Sequence, residues 1–335
     1  MNHDSIDWQR FAECVGTARR ILLTAHVRPD GDCIGSELAM AAALRQLGKE
    51  VCIVNADPVP PGLKFMPGTQ EVEILADVSA SEEAKKRLET MDLLLVLDTI
   101  SWAQLGPMKQ VLQTTQARKI ALDHHAVGDD IGAEVFSDSH AEATGVLVFQ
   151  AVKHLGCGIT SEIAQTLFIA IATDTGWFRF ASVTAETYEI LAELIRAGAV
   201  PHVIYNQLHE QETLGKMRLI GRTLAKAELF LEGKLAFTSI LDSDFREAGA
   251  LPGDSEDIIN QLLLIRGTEM AVIVVEQKTG GFKISFRSRC HVDCSQVAAT
   301  FGGGGHRAAA GAFQNLPYDK LKQALTGAMT EAYRG

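Results

Sequence analysis

Cysteine is sparse in this sequence and is never paired by spacing. The six cysteines, Cys14, Cys33, Cys52, Cys157, Cys290 and Cys294, are scattered and form no CxxC. Cys290 and Cys294 flank His291, but a fourth zinc ligand is missing, so these read as structural thiols. Long apolar runs are also absent. No uninterrupted stretch reaches the ~18 residues of a membrane span, so no membrane partner is expected. The first residues, MNHDSIDWQRFAEC, lack the basic-then-apolar order of a signal peptide. The expected location is therefore the cytoplasm, with reduced thiols. Positive charge is in short supply. Lys and Arg number 31 against 42 Asp and Glu, a formal net charge of −11. That argues against a protein that coats long nucleic acid, since such binding rests on many cation–phosphate contacts. A short phosphorylated substrate held by a few local cations stays open.

What is present is enough apolar material for two cores. The chain has 335 residues, 47% of them hydrophobic, and a length above ~300 residues favours two domains. The first half alternates strand and helix patterns. RILLTAH (20–26), VCIVNAD (51–57), DLLLVLD (92–98) and RKIALD (118–123) read as strands. SELAMAAALRQLGKE (36–50), with Ser36 as its N-cap, and SEEAKKRLETM (81–91) read as helices. Apolar strands alternating with helices predict an α/β fold, a parallel sheet with helices on both faces. Helical patterns follow at 143–156, 161–178 and 184–199. A polar helical connector spans 203–229, and after it LFLEGKLAFTSIL and EMAVIVVEQKTGGFKISFRSR read as hairpins. The predicted divisions are a first α/β domain at 1–186, a helical linker at 187–227 and a smaller α/β domain at 228–335.

Ligands of open α/β sheets collect at the C-terminal ends of the strands, and there the sequence places unusual residues. HVRPDGD brings His26, Asp30 and Asp32 into one tight turn. Asp98 ends the run LLLVLD. Asp123, His124 and His125 end RKIALD, and Asp174 interrupts the apolar run IAIATDTGWF. Carboxylates and imidazoles at the ends of buried strands are costly unless something binds them. Together, His26, Asp30, Asp32, Asp98, His124 and Asp174 make a mixed N/O set, enough for two divalent cations ~3.5–4 Å apart. Manganese suits such a set; iron or zinc could fit, and magnesium prefers all-oxygen shells. Asp98 is the natural bridge. Asp123 is expected to orient an imidazole, and His125 to contact phosphate or protonate a leaving oxygen.

The second domain offers cations near a glycine run. Arg287, Ser288 and Arg289 lie in SFRSRCH, and Gly303, Gly304, Gly305, His306 and Arg307 in FGGGGHRAAAGA. Glycines let a backbone approach an anion, and a helix expected after the run would point its positive end there. The run matches neither a dinucleotide fingerprint nor a P-loop.

With these residues assembled, the chain resembles the DHH phosphoesterase superfamily over nearly its whole length. The carriers are HVRPDGD, the terminal Asp98, DHH at 123–125, Asp174 in ATDTGWF, and RSR…FGGGGHRAAAG, which is similar to the DHH-associated DHHA1 domain. The set is specific because the motifs occur in the expected order. It looks most like the NrnA type, the oligoribonuclease and 3′-phosphoadenosine 5′-phosphate phosphatase branch. The resemblance implies two Mn²⁺, with His26, Asp30, Asp98 and Asp174 at one and Asp32, Asp98, His124 and Asp174 at the other. It implies short RNA and nucleotide substrates, nucleoside 5′-monophosphate products, Arg287 and His306 on the nucleotide, and a homodimer. Family II pyrophosphatases, RecJ-type exonucleases and membrane-bound cyclic-dinucleotide enzymes fit less well. Linear or cyclic dinucleotide hydrolysis and short single-stranded DNA exonuclease activity are the alternatives. A regulator that binds nucleotides without catalysis is the alternative of another class.

Overall fold

A computed structural model describes residues 6–335, in two units that divide after Gln211. The division falls inside the stretch expected to connect the domains. That stretch is helical, with helices Ala185–Ala197, Pro201–His209 and Leu214–Ala225.

The first unit is built on a six-stranded, all-parallel sheet. Its strands are β1 (Arg20–Thr24), β2 (Glu50–Asn55), β3 (Val72–Ile74), β4 (Leu93–Leu97), β5 (Arg118–Asp123) and β6 (Glu134–Ser137), in the order β3-β2-β1-β4-β5-β6. The apolar runs fill both faces because successive side chains alternate. Ile21, Leu23, Leu93, Leu95, Leu97, Ile120 and Leu122 pack beneath the helices Gly31–Gln46, Thr144–His154 and Ser161–Asp174. Leu22, Leu94, Val96 and Ala121 pack on the opposite face, with Val78, Leu105, Met108 and Leu112 from shorter helices. Sheet order reverses between β1 and β4, so the loops after these neighbours diverge and leave a crevice.

The helix Gly31–Gln46 is almost wholly buried and starts five residues before its expected start. Asp30, not Ser36, is its N-cap: the Asp30 carboxylate accepts from the Cys33 amide at 3.0 Å. Asp32 therefore lies in the first helical turn. Ser36 sits one turn further in and donates to Asp32 at 3.3 Å. The aspartate begins the helix because its carboxylate satisfies an amide that no earlier turn can reach.

The second unit carries a mixed sheet, β7 (Glu228–Phe230), β8 (Leu235–Ile240), β9 (Met270–Glu276), β10 (Phe282–Ser288), β11 (Gly304–Gly305) and β12 (Ala309–Gln314), in the order β11-β12-β10-β9-β8-β7. Only β8 and β9 pair in parallel. Phe237, Val272, Ile284 and Phe286 face the helices Cys294–Thr300 and Tyr318–Arg334. Ala236, Ile240, Ala271 and Ile273 face the helices Leu214–Ala225 and Ile258–Leu262. The expectation that a helix follows the glycine run is overturned. The helix Cys294–Thr300 precedes it, and the alanine-rich segment after it forms β12, paired along its length with β10. Alanine is the best intrinsic helix former, but propensity is a weak bias, and strand pairing overrides it here. Among the described residues no helix is long and apolar enough to cross a membrane, and all six cysteines are free.

Candidate metal centre and substrate residues

Three neighbouring strands deliver the polar residues to one rim. His26 follows β1 by two residues, Asp98 follows β4 directly, and His124 and His125 follow β5. Asp174 closes the helix Ser161–Asp174, and Asp30 and Asp32 open the helix Gly31–Gln46. Glycines let these two helices meet. A Cβ on Gly35 would lie 2.5 Å from the Thr166 carbonyl oxygen and 2.9 Å from the Ala170 Cβ, and one on Gly31 would overlap Thr173. The i, i+4 glycines thus form the flat face that brings Asp32 toward Asp174.

All six candidate metal ligands converge. Ligand atoms of His26, Asp30 and Asp98 lie within 4.8 Å of one another, as do those of Asp32, His124 and Asp174, and of Asp98, His124 and His125. Asp98 faces His26 Nε2 at 3.2 Å and His124 Nε2 at 3.7 Å. His124 Nε2 stands 3.6 Å from Asp174. Both imidazoles are held by their other nitrogen: His26 Nδ1 is 2.8 Å from the Val27 carbonyl and His124 Nδ1 is 3.1 Å from that of Ala141. A proton on each Nδ1 donates to the carbonyl and aims Nε2 at the carboxylates, where it can give its lone pair to a cation once it has lost its own proton, the usual device for orienting a metal-binding histidine.

The electrostatics favour a bound divalent cation. Burial, with the charges of Asp98 and Asp174, pushes Asp32 well above the carboxylate range. Burial also raises Asp174, with Asp98 and Asp30 adding to it against the pull of His124. Burial opposes a charge on His26, but hydrogen bonds to Asp30 and Asp98 lift it to about 11. Asp30 moves the other way. Burial would raise it, and His26 with the Cys33 amide holds it below its ordinary value. Crowded carboxylates with imidazole donors are a donor set that divalent cations neutralise. The residues present fit such an ion.

Asp123 orients His125, the partner that the sequence left open. Its Oδ1 meets His125 Nδ1 at 2.7 Å and accepts from the His125 amide at 3.2 Å. Asp123 is fully buried, and its Oδ2 has no hydrogen-bond partner among the described residues. This bond is the main reason that the His125 imidazole is raised above its ordinary value. The His125 side chain is 55% exposed, so its other nitrogen is accessible. A cavity of about 360 Å³ opens over the cluster, walled on its far side by Thr99, Ile100, Ser101, Gln104 and Val127.

Sequence reasoning did not anticipate three features here. Asp98 sits at φ 61°, a left-handed backbone that costs an L-residue ~1–2 kcal/mol and is a mark of functional sites. Thr144 donates through its hydroxyl to Asp98 at 2.9 Å. Glu37, a lone acid in an apolar helical run, is fully buried and accepts from Asn55 Nδ2 at 2.7 Å. Asn55 in turn accepts from the Ala25 amide at 3.2 Å, which pins the chain just before His26. The lone acid was the only signal of these three visible in the residue pattern.

The substrate candidates all lie in the second unit. Arg287 is the next-to-last residue of β10, and among the described residues its guanidinium makes one hydrogen bond, to its neighbour's carbonyl at 3.1 Å. Arg289 is committed elsewhere, with its guanidinium donating to the Thr268 and Leu263 carbonyls. Ser288 is buried, and its hydroxyl accepts from the Cys290 amide at 3.3 Å. Gly304, Gly305, His306 and Arg307 are exposed. Gly303 and Gly305 have a packing reason to be glycine. A Cβ on Gly303 would overlap the Gly311 carbonyl oxygen, and one on Gly305, at φ 145°, would press on Ala310. Nor are all the amides of the run free: Gly303 donates to Ala298 and His306 to Ala309. A larger cavity of about 680 Å³ in this unit, beside Phe245 and Val275, contains none of these candidates.

The comparisons with known proteins agree with the motif order. A sequence profile described as the DHH family, N-terminal domain, matches residues 20–171, and one for the DHHA1 domain matches residues 232–331. The chain is 33% identical, over 93% of its length and 89% of the relative's, to a Thermus thermophilus protein named bifunctional oligoribonuclease and PAP phosphatase NrnA. A Bacillus subtilis protein of the same name is 26% identical, over 87% of this chain and 88% of that one. The crystal structure of an exopolyphosphatase-related protein from Bacteroides fragilis superposes with a TM-score of 0.83 at 27% identity. It covers 97% of this chain and 95% of that one.

Proposed function

Because the chain belongs to the DHH family of phosphoesterases, we propose that it hydrolyses short oligoribonucleotides to nucleoside 5′-monophosphates. We propose further that it removes the 3′-phosphate of 3′-phosphoadenosine 5′-phosphate to give AMP. The two reactions are one chemistry. In each, water adds to phosphorus, the P–O3′ bond breaks, and the ribose 3′-oxygen leaves with a proton.

The observation that carries this reading is the convergence of His26, Asp30, Asp98, Asp32, His124 and Asp174 at the ends of adjacent strands. His26, Asp30, Asp98 and Asp174 would hold one Mn²⁺, and Asp32, Asp98, His124 and Asp174 the other. Such ions supply Lewis acidity to phosphoryl oxygens and acidify a water. The chain's own groups do the rest. Val27 and Ala141 fix the two ligating imidazoles, each through its carbonyl. Asp123 holds His125 protonated through Nδ1, which leaves Nε2 to give its proton to the departing 3′-oxygen. Arg287, with donors to spare, binds a phosphate or the nucleotide of the substrate. His306, exposed beside the glycine run, joins it.

The test is one assay panel with Mn²⁺ and with EDTA. It compares a 5′-labelled diribonucleotide, a longer RNA, 3′-phosphoadenosine 5′-phosphate, linear and cyclic di-adenylate, and pyrophosphate. Fast Mn²⁺-dependent release of monophosphate from the diribonucleotide, and of phosphate from the adenosine bisphosphate, is expected. Turnover of pyrophosphate or the cyclic dinucleotide alone would overturn the substrate while keeping the metal site.

A further inference from the structure

Thr144 belongs to no motif in the sequence, yet it is bonded to both of the buried carboxylates among the candidate ligands. It is fully buried at the first position of the helix Thr144–His154. Its hydroxyl donates to Asp98 Oδ1 at 2.9 Å, and its amide donates to Asp32 Oδ2 at 2.7 Å. The Gly145 amide donates to the other Asp32 oxygen at 2.8 Å. A carboxylate from one helix thus satisfies the open amides at the start of another. We propose that Thr144 is the positioning residue of this site, fixing the rotation of the Asp98 carboxylate so that it is set for a cation before one arrives. The proposal rests on the reading of Asp98 and Asp32 as metal ligands.

The argument turns on which contacts of Asp98 survive cation binding. Among the described residues its other possible side-chain donors are imidazoles: His26 Nε2 at 3.2 Å, His124 Nε2 at 3.7 Å and His125 Nδ1 at 4.0 Å. His26 and His124 are themselves ligand candidates. An Nε2 that gives its lone pair to a metal carries no proton and donates nothing to Asp98. His125 already faces Asp123. Among the described residues, the Thr144 hydroxyl is therefore the one side-chain donor to Asp98 that does not compete for the ion or serve another carboxylate. Backbone geometry alone does not fix this side chain. The Asp98 amide is tied to the Leu122 carbonyl at 3.1 Å, which sets where the carboxylate starts but not how it turns. Threonine suits the task because its branched side chain has few rotamers. At a helix's first position no preceding turn offers its hydroxyl a carbonyl, so the hydroxyl can reach across to another strand's loop.

The test is calorimetric titration of Mn²⁺ into metal-stripped wild type, Thr144→Val and Thr144→Ser, with circular dichroism as the control for folding. Valine keeps the shape and removes the hydroxyl; serine keeps the hydroxyl. Loss of an outer-sphere partner typically weakens a metal site by 10–100-fold. Mn²⁺ affinity should fall by about that factor in Thr144→Val and stay within about threefold of wild type in Thr144→Ser. Wild-type affinity in folded Thr144→Val would overturn the proposal. If Thr144→Val does not fold, Thr144→Ala removes the same hydroxyl, and the same comparison decides. Wild type that binds no Mn²⁺ at millimolar concentration would instead remove the metal reading beneath it.

Discussion

Replacing Glu37 by glutamine should make the protein more stable in a pH-dependent way. The Glu37 side chain is fully buried in the helix Gly31–Gln46, and one of its oxygens has no hydrogen-bond partner among the described residues. Burial pushes its carboxyl from 4.5 to about 8, although the Asn55 hydrogen bond and His26 pull it back. Below pH 4.5 both the folded and unfolded chains hold the proton, and the group contributes no pH dependence. Between 4.5 and 8 the unfolded chain has lost the proton and the folded chain keeps it, so stability falls as pH rises. The slope is about 1.4 kcal/mol per pH unit, and the full cost above pH 8 is about 5 kcal/mol at most. Glutamine accepts the same hydrogen bond from Asn55 and does not titrate. Any packing difference it introduces is constant with pH and cancels. The assay is urea unfolding in EDTA at half-unit steps from pH 5 to 8, followed by tryptophan fluorescence. Trp8, Trp102 and Trp177 all lie in the first unit, so the signal reports the domain that contains Glu37. The stability difference between Glu37→Gln and wild type should grow by about 1 kcal/mol per pH unit. A difference that stays flat across the window would refute the reasoning, because the carboxyl would then titrate alike in both states.

Three further substitutions test the site from different sides. Asp98→Ala should abolish turnover and lower bound metal measured by mass spectrometry; near-wild-type activity would contradict its place at the centre of the cluster. Arg287→Ala should raise KM for nucleotides by about tenfold with metal content unchanged, and a loss of metal would show that its role is misassigned. Gly35→Ala should destabilise the first unit by about 1–3 kcal/mol, because the added methyl meets the Thr166 carbonyl and the Ala170 side chain. Alanine normally improves a helix interior by ~0.5–1 kcal/mol, so a gain in thermal stability would refute the close helix contact.

The sequence revealed most where chemistry and periodicity agreed. Asp98, Asp123 and the two histidines were readable because an apolar run that ends in acid or imidazole has few bland explanations. Their convergence required only the rule that neighbouring parallel strands share a rim, and the order β1-β4-β5 makes them neighbours. Asp32 was selected as a ligand candidate from its turn, but its partners were hidden. Thr144 and Gly145 lie 112 and 113 residues away in sequence, and a threonine in the small-residue stretch ATG carries no sign of what it faces. Glu37 was visible as an acid in an apolar helix. Its partner Asn55 sits on another strand, so neither residue alone discloses the pair.

The glycine run shows why local pattern fails on the second domain. GGGGHRAAAGA offers phosphate-loop glycines followed by helix-forming alanines, and both features have competing uses. The same small side chains let β12 lie against β10, with Gly311 opposite Ser285 and Ala310 opposite Phe286, and let β11 close on β12. Three of the four glycines are thereby accounted for by the backbone: Gly302 by its φ of 70°, and Gly303 and Gly305 by the β12 residues that a Cβ would strike. Gly304 is exposed, with no atom near enough to exclude a side chain. It is the position where a requirement for glycine would have to come from the substrate. Gly304→Ala therefore separates the two readings: if the run serves only the packing of its other three glycines, kinetics and stability stay unchanged, whereas close approach of a phosphate raises KM without moving the unfolding midpoint.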